Sequence, residues 1–263
     1  MFESIVESTG LPHRSVNLVI DAGNAVPGPM LCRLMDKLKV EYKSLFCTWD
    51  PTFPNHPPDP TRPSNMISLG NKVKSINAEF GIGVDGDGDR IGIVDENGNF
   101  VAPDRLLALF AKDILSQSKE KLPIIFDVKC SMALKETIIH YGGSPIMMRT
   151  GHSFIKKALR DKPSSPLAGE MSGHFFFNDK WPGHDDALYC ASRLIEMISR
   201  NPSPKNGGPT ISSLLAELPN YPSSNEVKIP LKEDRESIMN QVINSLRMSD
   251  ADLLTMDALQ KLI

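Results

Sequence analysis

Residues 85–90 read DGDGDR, so three carboxylates alternate with glycine and an arginine follows them. Like charges this close repel one another unless a cation lies among them. Three carboxylates on a flexible loop can converge on one hard divalent cation and leave coordination positions for a phosphate oxygen and water. The guanidinium of Arg90 can take another phosphate oxygen. The pattern predicts that Asp85, Asp87 and Asp89 bind magnesium and that Arg90 stabilises a transferring phosphoryl group.

Other interpretations of this acidic loop fit the sequence less well. With Asp85 at position 1 of an EF-hand, Glu96 stands at position 12, but position 6 is Arg90 where glycine is needed, and the flanks are strand-like. A haloacid-dehalogenase-like nucleophile pair is disfavoured because Asp89 stands where Thr or Val is expected. Its second acidic pair would have to be Asp185-Asp186. A solvated turn stays open, although three aspartates are more than a turn requires.

A second polar cluster lies in residues 169–174, which read GEMSGH. The carboxylate of Glu170 and the hydroxyl of Ser172 can accept and donate hydrogen bonds to adjacent hydroxyl groups of a sugar. The imidazole of His174 can move a proton near neutral pH. An ordinary polar turn before the apolar FFF segment would give the same local pattern, so both interpretations stay open.

Lys129 and His152 are further candidates for a substrate site. Lys129 follows the apolar segment PIIFDV, and His152 stands in TGHS, which opens a predicted helix with Ser153 as its cap. Each has an ordinary alternative, as a surface lysine or as a first-turn helix residue. Because both follow the end of a predicted strand, as Asp85 and Glu170 do, the sequence favours one shared site.

These candidates need a scaffold in which strands and helices alternate. Apolar segments that end in polar residues are typical of buried parallel strands, and the segments between them carry apolar residues at helical spacing. The alternation predicts an α/β fold: consecutive α/β domains with mixed, mostly parallel sheets flanked by helices. A strand and a helix after residue 225 would begin a further unit. The predicted strands include 16–21, 42–47, 81–85, 90–95, 123–128 and 145–148, and the predicted helices include 27–39, 64–78, 131–140 and 185–199.

The composition argues against several classes of protein. The chain has 263 residues, 29 Lys plus Arg against 32 Asp plus Glu, and a formal net charge of −3. This balance predicts no nucleic-acid partner. The four cysteines show no CxxC spacing, which favours reduced thiols in a cytoplasmic protein. No apolar run approaches the ~20 residues of a membrane span, and the N-terminus lacks the apolar core of a signal peptide, so we predict no membrane association.

The sequence resembles the α-D-phosphohexomutase superfamily, and specifically its bacterial phosphomannomutase/phosphoglucomutase branch. The resemblance runs nearly the whole length of the chain and implies four domains around a cleft. It implies a linker helix from a missing first domain at 1–13, domain II with the metal loop at 14–101, domain III with the sugar loop at 102–212, and a partial, truncated domain IV at 213–263. The motifs that carry it are TFPNHPPDPTRPSN (52–65), DGDGDR (85–90), DVKC (127–130), TGHS (150–153) and GEMSGH (169–174).

The resemblance also implies a reaction and a role for each candidate residue. Family members move phosphate between C1 and C6 of a hexose through a bisphosphorylated sugar, with Mg²⁺ as cofactor. The implied substrates are the 1- and 6-phosphates of mannose and glucose. The implied metal ligands are Asp85, Asp87 and Asp89, the catalytic residues Arg90, His174 and Lys129, and the substrate-binding residues Glu170, Ser172, His174, His152 and Lys129.

Parts of the family pattern are not found in the sequence. The family's phosphate donor is a phosphoserine in a TASHNP-like loop of the first domain, and neither Ser64 nor Ser172 matches it. The R-x-S-N/G-T loop of the fourth domain is not reached before the final LLTMDALQKLI. The segment KWPGHDD (180–186) keeps a WxGxDD pattern, with Pro182 and His184 where aromatic residues are usual. The expectation is a fragment with negligible turnover alone, to which a missing N-terminal domain or a partner supplies the serine.

Two other functions stay open on the sequence. One is a non-catalytic module that binds a sugar phosphate or a partner chain. The other is a phosphoglucosamine mutase, which differs in the sugar. The loop GEMSGH, in place of a GEQSGH-type loop, counts against that second alternative.

Overall fold

The computed structural model describes residues 2–221, residue 230 and residues 234–248. It divides into two compact units, Met1–Tyr221 and Pro222–Ile263. The strands are β1 (Asn17–Asp21), β2 (Glu41–Leu45), β3 (Phe80–Val84), β4 (Ile91–Val94), β5 (Phe100–Val101), β6 (Pro123–Asp127), β7 (Ser144–Met148), β8 (Leu167–Gly169) and β9 (Phe175–Phe177). The α-helices are α1 (Phe2–Thr9), α2 (Gly28–Leu38), α3 (Ile67–Ile76), α4 (Pro103–Ser116), α5 (Met132–His140), α6 (His152–Asp161), α7 (Ala187–Ser199), α8 (Ile211–Ala216) and α9 (Arg235–Met248).

The first unit contains two mixed sheets. The first sheet has the order β2-β1-β3-β4-β5, with β1 parallel to β2 and β3, and β4 antiparallel to both β3 and β5. The second has the order β7-β6-β8-β9, with β6 parallel to β7 and β8, and β9 antiparallel to β8. In each sheet the central parallel strand is buried and ends in an aspartate, Asp21 in β1 and Asp127 in β6. The loops that follow the parallel strands therefore emerge at one edge of each sheet.

One hydrophobic core joins the two sheets. Helix α4 contacts β4 of the first sheet and β8 of the second, and α7 contacts β4 and β9. Helix α7 is buried along most of its length, with Leu194 and Ile195 fully inaccessible to solvent. A helix buried on most of its sides must be surrounded by other elements, and here it contacts strands of both sheets. The shared helices fix the position of one sheet's loops relative to the other's.

The predicted α/β architecture is confirmed, with differences at the ends of elements. The predicted strand 42–47 ends at Leu45, because Phe46 turns the chain with a φ of 50°. The predicted helix 64–78 begins as the 3₁₀ turn Pro63–Met66 before α3. The prediction of Ser153 as a helix cap is wrong: Gly151 is the N-cap of α6, and no side chain caps this end.

Two expectations concern the chain after residue 221, where the structure describes only residue 230 and residues 234–248. The strand expected after residue 225 lies almost wholly outside the described residues, as does most of the expected partial domain IV. Helix α9 matches the helix expected to follow that strand. The expected domain boundaries stay predictions. None of the helices in the described part of the chain combines the length and the apolar character that a bilayer crossing needs.

The proline-rich segment between β2 and α3 packs against the strands that carry the acidic loop. Gly92 of β4 lies so close to this segment that a Cβ atom there would overlap the carbonyl oxygen of Pro60. A Cβ at Gly83 of β3 would lie 2.9 Å from the sulfur of Met66 and 3.2 Å from Pro60. Gly92 is therefore required by the close approach of the Pro60 backbone, and Gly83 leaves room for the side chains of Met66 and Pro60. This packing holds the proline-rich segment beside the acidic loop.

An ion pair also ties the proline-rich segment to the first sheet. Nε2 of His56 lies 3.2 Å from both carboxylate oxygens of Asp21, whose side chain is 2% exposed. The hydrogen bond that Nε2 of His56 donates to Asp21 raises the pKa of His56 above its ordinary value, against the opposing effect of burial. The protonated imidazole is thus the form that the folded protein favours.

We expect the free energy of unfolding to fall as the pH rises through the folded-state pKa of His56. A raised pKa means that the folded protein binds this proton more tightly than the unfolded chain does. Its contribution is therefore complete below the unfolded value of ~6.5 and lost above the folded value. Urea unfolding between about pH 5.5 and 9 measures the effect. His56→Gln should make this profile less steep, although His174, whose pKa is also raised, keeps part of the slope. Replacement of the exposed His140 of α5 by glutamine should leave the profile unchanged, and equal profiles for both variants would contradict the assignment.

Candidate active site

The acidic loop and the sugar loop, named here for DGDGDR (85–90) and GEMSGH (169–174), lie against each other. The backbone N–H of Ile91 donates to the carbonyl of Gly173 at 3.1 Å, and Arg90 and His174 form an antiparallel bridge. Gly173 has a φ of +85°, and a Cβ there would lie 3.0 Å from the carbonyl oxygen of Ile91. Glycine thus permits both the turn and the close approach. The two predicted clusters, 80 or so residues apart in sequence, form one site.

The acidic loop folds around the buried carboxylate of Asp85, which is 0% exposed. Its Oδ1 accepts the backbone N–H groups of Gly88, Asp89 and Arg90 at 3.0, 3.1 and 3.0 Å. Three N–H groups that converge on one carboxylate oxygen satisfy its charge inside the protein. The same bonds set the curvature of the loop, so Asp87 and Asp89 turn toward the same side as Asp85.

The three predicted metal ligands are brought together. Asp85, Asp87 and Asp89 each offer a carboxylate oxygen within 4.8 Å of the others, and they range from buried (Asp85) to exposed (Asp87). An all-oxygen set with one open side suits a hard divalent cation, which keeps water or a ligand oxygen in its remaining positions. The residues present therefore fit a metal of this class.

Arg90 pairs with carboxylates of its own chain. Its Nε donates to Oδ2 of Asp85 at 2.7 Å, and its NH1 lies 3.5 Å from Oδ1 of Asp59. Burial acts to lower the pKa of Arg90, but Asp85, Asp59 and Asp89 outweigh it and raise the pKa. The guanidinium is a fixed positive charge beside the acidic cluster. Asp59 was not among the predicted site residues, although it stands in TFPNHPPDPTRPSN (52–65), one of the motifs that carry the family resemblance.

In the sugar loop, Glu170 is buried and Ser172 is partly exposed. Oε1 of Glu170 accepts the backbone N–H of Gly151 at 2.6 Å, and Oε2 lies 3.5 Å from Oγ of Ser172. With 1% of its surface exposed, Glu170 is held mainly by the protein. Its Oε2 faces Ser172 and His174 of the same loop.

His174 connects the two loops. Its Nδ1 lies 2.7 Å from Oγ of Ser172 and 3.4 Å from Oε2 of Glu170, and its Nε2 lies 3.3 Å from Oδ1 of Asp89. Burial acts to lower the pKa of His174, but the carboxylates of Glu170, Asp89 and Asp185 outweigh it and raise the pKa. The imidazole therefore lies between the predicted metal ligands and the predicted sugar ligands, with its proton stabilised by both.

His152 and Lys129 lie on neighbouring loops and are exposed. The ring of His152 stacks on that of His174 with 5.7 Å between centroids, and its side chain is 54% exposed. Lys129 follows β6 on the loop at the same edge of the second sheet. His152 thus contacts His174 directly, and Lys129 lies on a loop that begins at the same edge of the second sheet.

Asp185 completes the charged group around His174. It offers a third ligand atom to a cluster with Asp89 and His174, again within 4.8 Å. Its Oδ1, however, pairs with Nζ of Lys156 at 2.7 Å, and its Oδ2 lies 3.5 Å from Nδ1 of His152. We interpret this second cluster as an ion-pair network. Asp185 was not among the predicted site residues, although it stands in the WxGxDD-like segment 180–186 and in the Asp185-Asp186 pair of the disfavoured haloacid-dehalogenase interpretation.

Two family models match the chain in sequence. Residues 1–98 match "Phosphoglucomutase/phosphomannomutase, alpha/beta/alpha domain II", and residues 102–221 match domain III of the same family. The phosphomannomutase/phosphoglucomutase of Pseudomonas putida is 40% identical over 260 residues, which cover 98% of this chain and 54% of that protein. The phosphoglucomutase of Neisseria gonorrhoeae is 41% identical over 252 residues, covering 94% of this chain and 52% of that protein.

Solved structures agree with this assignment. A phosphoglucomutase/phosphomannomutase family protein from Burkholderia thailandensis superposes with a TM-score of 0.81 and 41% identity, over 94% of this chain and 50% of that one. The N-acetylphosphoglucosamine mutase of Aspergillus fumigatus, solved in complex with GlcNAc-6P and magnesium, has a TM-score of 0.67 at 17% identity, over 94% of this chain and 61% of that one. This second likeness concerns the fold alone.

The chain spans about half the length of the relatives it matches. The matched half is the one that contains the acidic and sugar loops, whose contact has been described above. Sequence, fold and the arrangement of these loops lead to the same conclusion. The chain belongs to the phosphoglucomutase/phosphomannomutase family of the α-D-phosphohexomutase superfamily.

Proposed function

We propose that this chain supplies the metal loop and the sugar loop of a magnesium-dependent phosphohexose mutase. The enzyme would interconvert hexose 1-phosphates and 6-phosphates of the glucose and mannose type through a bisphosphorylated sugar. The observation that carries the proposal is the contact between the loops, where Nε2 of His174 lies 3.3 Å from Oδ1 of Asp89. A sugar hydroxyl held beside His174 is thereby close to the charged centre that phosphoryl transfer requires.

Asp85, Asp87 and Asp89 are the residues that would hold Mg²⁺. Members of this superfamily generally depend on a metal, and one structural relative was solved with magnesium. A bound ion of this kind supplies charge neutralisation for a transferring phosphoryl group. Arg90 would add a second positive charge at the same phosphate, since its guanidinium already lies beside Asp85.

Glu170, Ser172 and His174 would bind and activate the sugar. Ser172 and Glu170 together present a donor and an acceptor, which suits adjacent hydroxyl groups. Nδ1 of His174 contacts Ser172 and Glu170, and its Nε2 faces Asp89 of the acidic loop, so a hydroxyl that enters between Nε2 and Asp89 could exchange a proton with the imidazole. His152 and Lys129 would help to position the substrate, Lys129 through its positive charge, and Lys129 would also act in catalysis.

The covalent donor requires a residue from elsewhere. By family resemblance the donor is a phosphoserine, and no motif of these 263 residues matches its loop. We propose that another segment or another chain supplies it.

The cytoplasmic location also stays a prediction.

A coupled assay with glucose 1-phosphate tests the proposal. We expect no turnover by the chain alone and measurable turnover when the first domain of the Pseudomonas putida relative is added, because covalent transfer needs the donor serine. Turnover by the chain alone would contradict the requirement for an outside donor. No turnover with the added domain, together with no binding of glucose 6-phosphate by calorimetry, would contradict the proposed function as a whole.

The same experiment separates the two alternatives. A non-catalytic module would bind glucose 6-phosphate and give no turnover with the added domain. A phosphoglucosamine mutase would turn over glucosamine 1-phosphate faster than glucose 1-phosphate. Mannose 1-phosphate should be accepted alongside glucose 1-phosphate if the sugar loop tolerates both arrangements at C2.

A further inference from the structure

The carboxylate of Asp127 lies at the centre of three loops of the second sheet. Strand β6 lies between β7 and β8 and is parallel to both. The loops that follow these three strands therefore begin side by side at one edge of the sheet. They carry Lys129, His152 and the sugar loop (169–174). Asp127 is the last residue of β6 and is 0% exposed.

Asp127 binds the loops on both sides of its own strand. Its Oδ2 accepts the hydroxyl of Thr150, in the loop after β7, at 2.8 Å. Its Oδ1 accepts the backbone N–H of Met171, in the loop after β8, at 3.1 Å. The thiol of Cys130, in its own loop, donates to the same Oδ1 at 3.1 Å. A buried carboxylate whose donors come from three loops fixes those loops relative to one another.

A second bond couples the same two loops next to this carboxylate. The backbone N–H of Gly151 donates to Oε1 of Glu170 at 2.6 Å. Thr150 and Gly151 are adjacent, as are Glu170 and Met171, so the two bonds form a double link between the loop after β7 and the sugar loop. This link sets which oxygen of Glu170 is engaged by the protein and which faces Ser172.

We propose that Asp127 and Thr150 are positioning residues of the sugar site. Without contacting the sugar themselves, they hold Glu170 and His152 in the relative orientation that a hexose phosphate needs. The proposal rests on the proposed function of the sugar loop. Both residues are needed for the link, because Asp127 reaches the loop after β7 through the hydroxyl of Thr150.

Thr150→Val tests the link, because it removes the hydroxyl and keeps the shape of the side chain. The backbone amides of Gly151 and Met171 should exchange with solvent about tenfold faster, since both donate within the link. Thr150→Ser should restore slow exchange. Thr137→Val is the matched control. It also removes a threonine hydroxyl, which donates a hydrogen bond of 2.7 Å to the carbonyl of Ala133 in α5. It should leave both amides unchanged.

Binding of glucose 6-phosphate, measured by calorimetry on the same variants, tests the consequence. We expect about tenfold weaker binding in Thr150→Val, near-normal binding in Thr150→Ser, and normal binding in Thr137→Val. Unchanged exchange at Gly151 and Met171 in Thr150→Val would overturn the link. Faster exchange without weaker binding would overturn its role in positioning.

The two readouts also separate this proposal from the proposed function. If the unaltered chain neither binds glucose 6-phosphate nor turns over glucose 1-phosphate with the added domain, the proposed function fails. The positioning role then fails with it, even where exchange shows that the link exists. The unaltered chain could bind glucose 6-phosphate while Thr150→Val lowers thermal stability and exchange protection to the same degree throughout the chain. In that case Thr150 would contribute only to general stability, and the proposal would be overturned.

Discussion

Asp87→Asn is expected to weaken Mg²⁺ binding by at least about tenfold, because it removes one charged ligand and keeps the size of the side chain. Asp87 is the best of the three positions for this test. It is exposed, whereas Asp85 accepts three backbone N–H groups and the Nε of Arg90, so a change there would also disturb the loop. Calorimetric titration of the chain with MgCl₂ measures the effect directly and does not depend on turnover.

The control for this experiment is Asp161→Asn, which removes a carboxylate of the same kind far from the cluster. Asp161 is the last residue of α6, and its side chain is 64% exposed. Its replacement should leave Mg²⁺ affinity unchanged. Equal affinities for Asp87→Asn and the unaltered chain would refute the assignment of the acidic loop as the metal site. Equal losses in both variants would show that only overall charge matters.

Gly92→Ala should lower the free energy of unfolding by about 1–3 kcal/mol, the usual range when a well-packed site is overfilled. The added Cβ would overlap the carbonyl oxygen of Pro60, and the carbonyl carbon would lie only 3.0 Å away. Backbone atoms cannot rotate aside as a side chain can. The strand or the proline-rich segment must therefore move, and urea unfolding at fixed pH measures the cost.

Gly86→Ala is the matched control for this change. Gly86 faces the same proline-rich segment, but a Cβ there would lie 3.9 Å from Pro58, an ordinary contact distance. We expect its stability to stay within about 1 kcal/mol of the unaltered chain. Similar stability for Gly92→Ala and Gly86→Ala would mean that the proline-rich segment does not press on β4.

The residues of the site were identifiable from sequence because each follows a recognisable strand. Apolar segments end in aspartate at Asp21 and Asp127, and Asp85 follows Val84 at the end of β3. Alternation of such segments with amphipathic helices predicts parallel strands, whose carboxyl ends share an edge. The α/β architecture follows from this pattern because it depends on residues close together in the chain. The pattern also places Lys129, His152 and Glu170 at one edge of the second sheet, whereas the nearness of the acidic loop depends on how the two sheets pack.

The partners of those residues were not identifiable in the same way. Asp59 reaches Arg90 from 31 residues away, and the hydroxyl of Thr150 reaches Asp127 from 23 residues away. Such pairs depend on the path of a loop, and loops are not constrained by periodicity. The error at the start of α6 has the same origin, because Glu170, from the sugar loop, accepts the N–H of Gly151 there while Ser153 caps nothing.

The sequence by itself determined the class of fold, the three carboxylates of the acidic loop and the family resemblance, because local spacing and composition encode all three. Only the tertiary structure decided that His174 lies between Asp89 and Glu170, and that Asp127 links the loops on both sides of its strand. The physical reason is that these contacts join loops of different strands. Their geometry is set by the packing of both sheets on the shared helices α4 and α7.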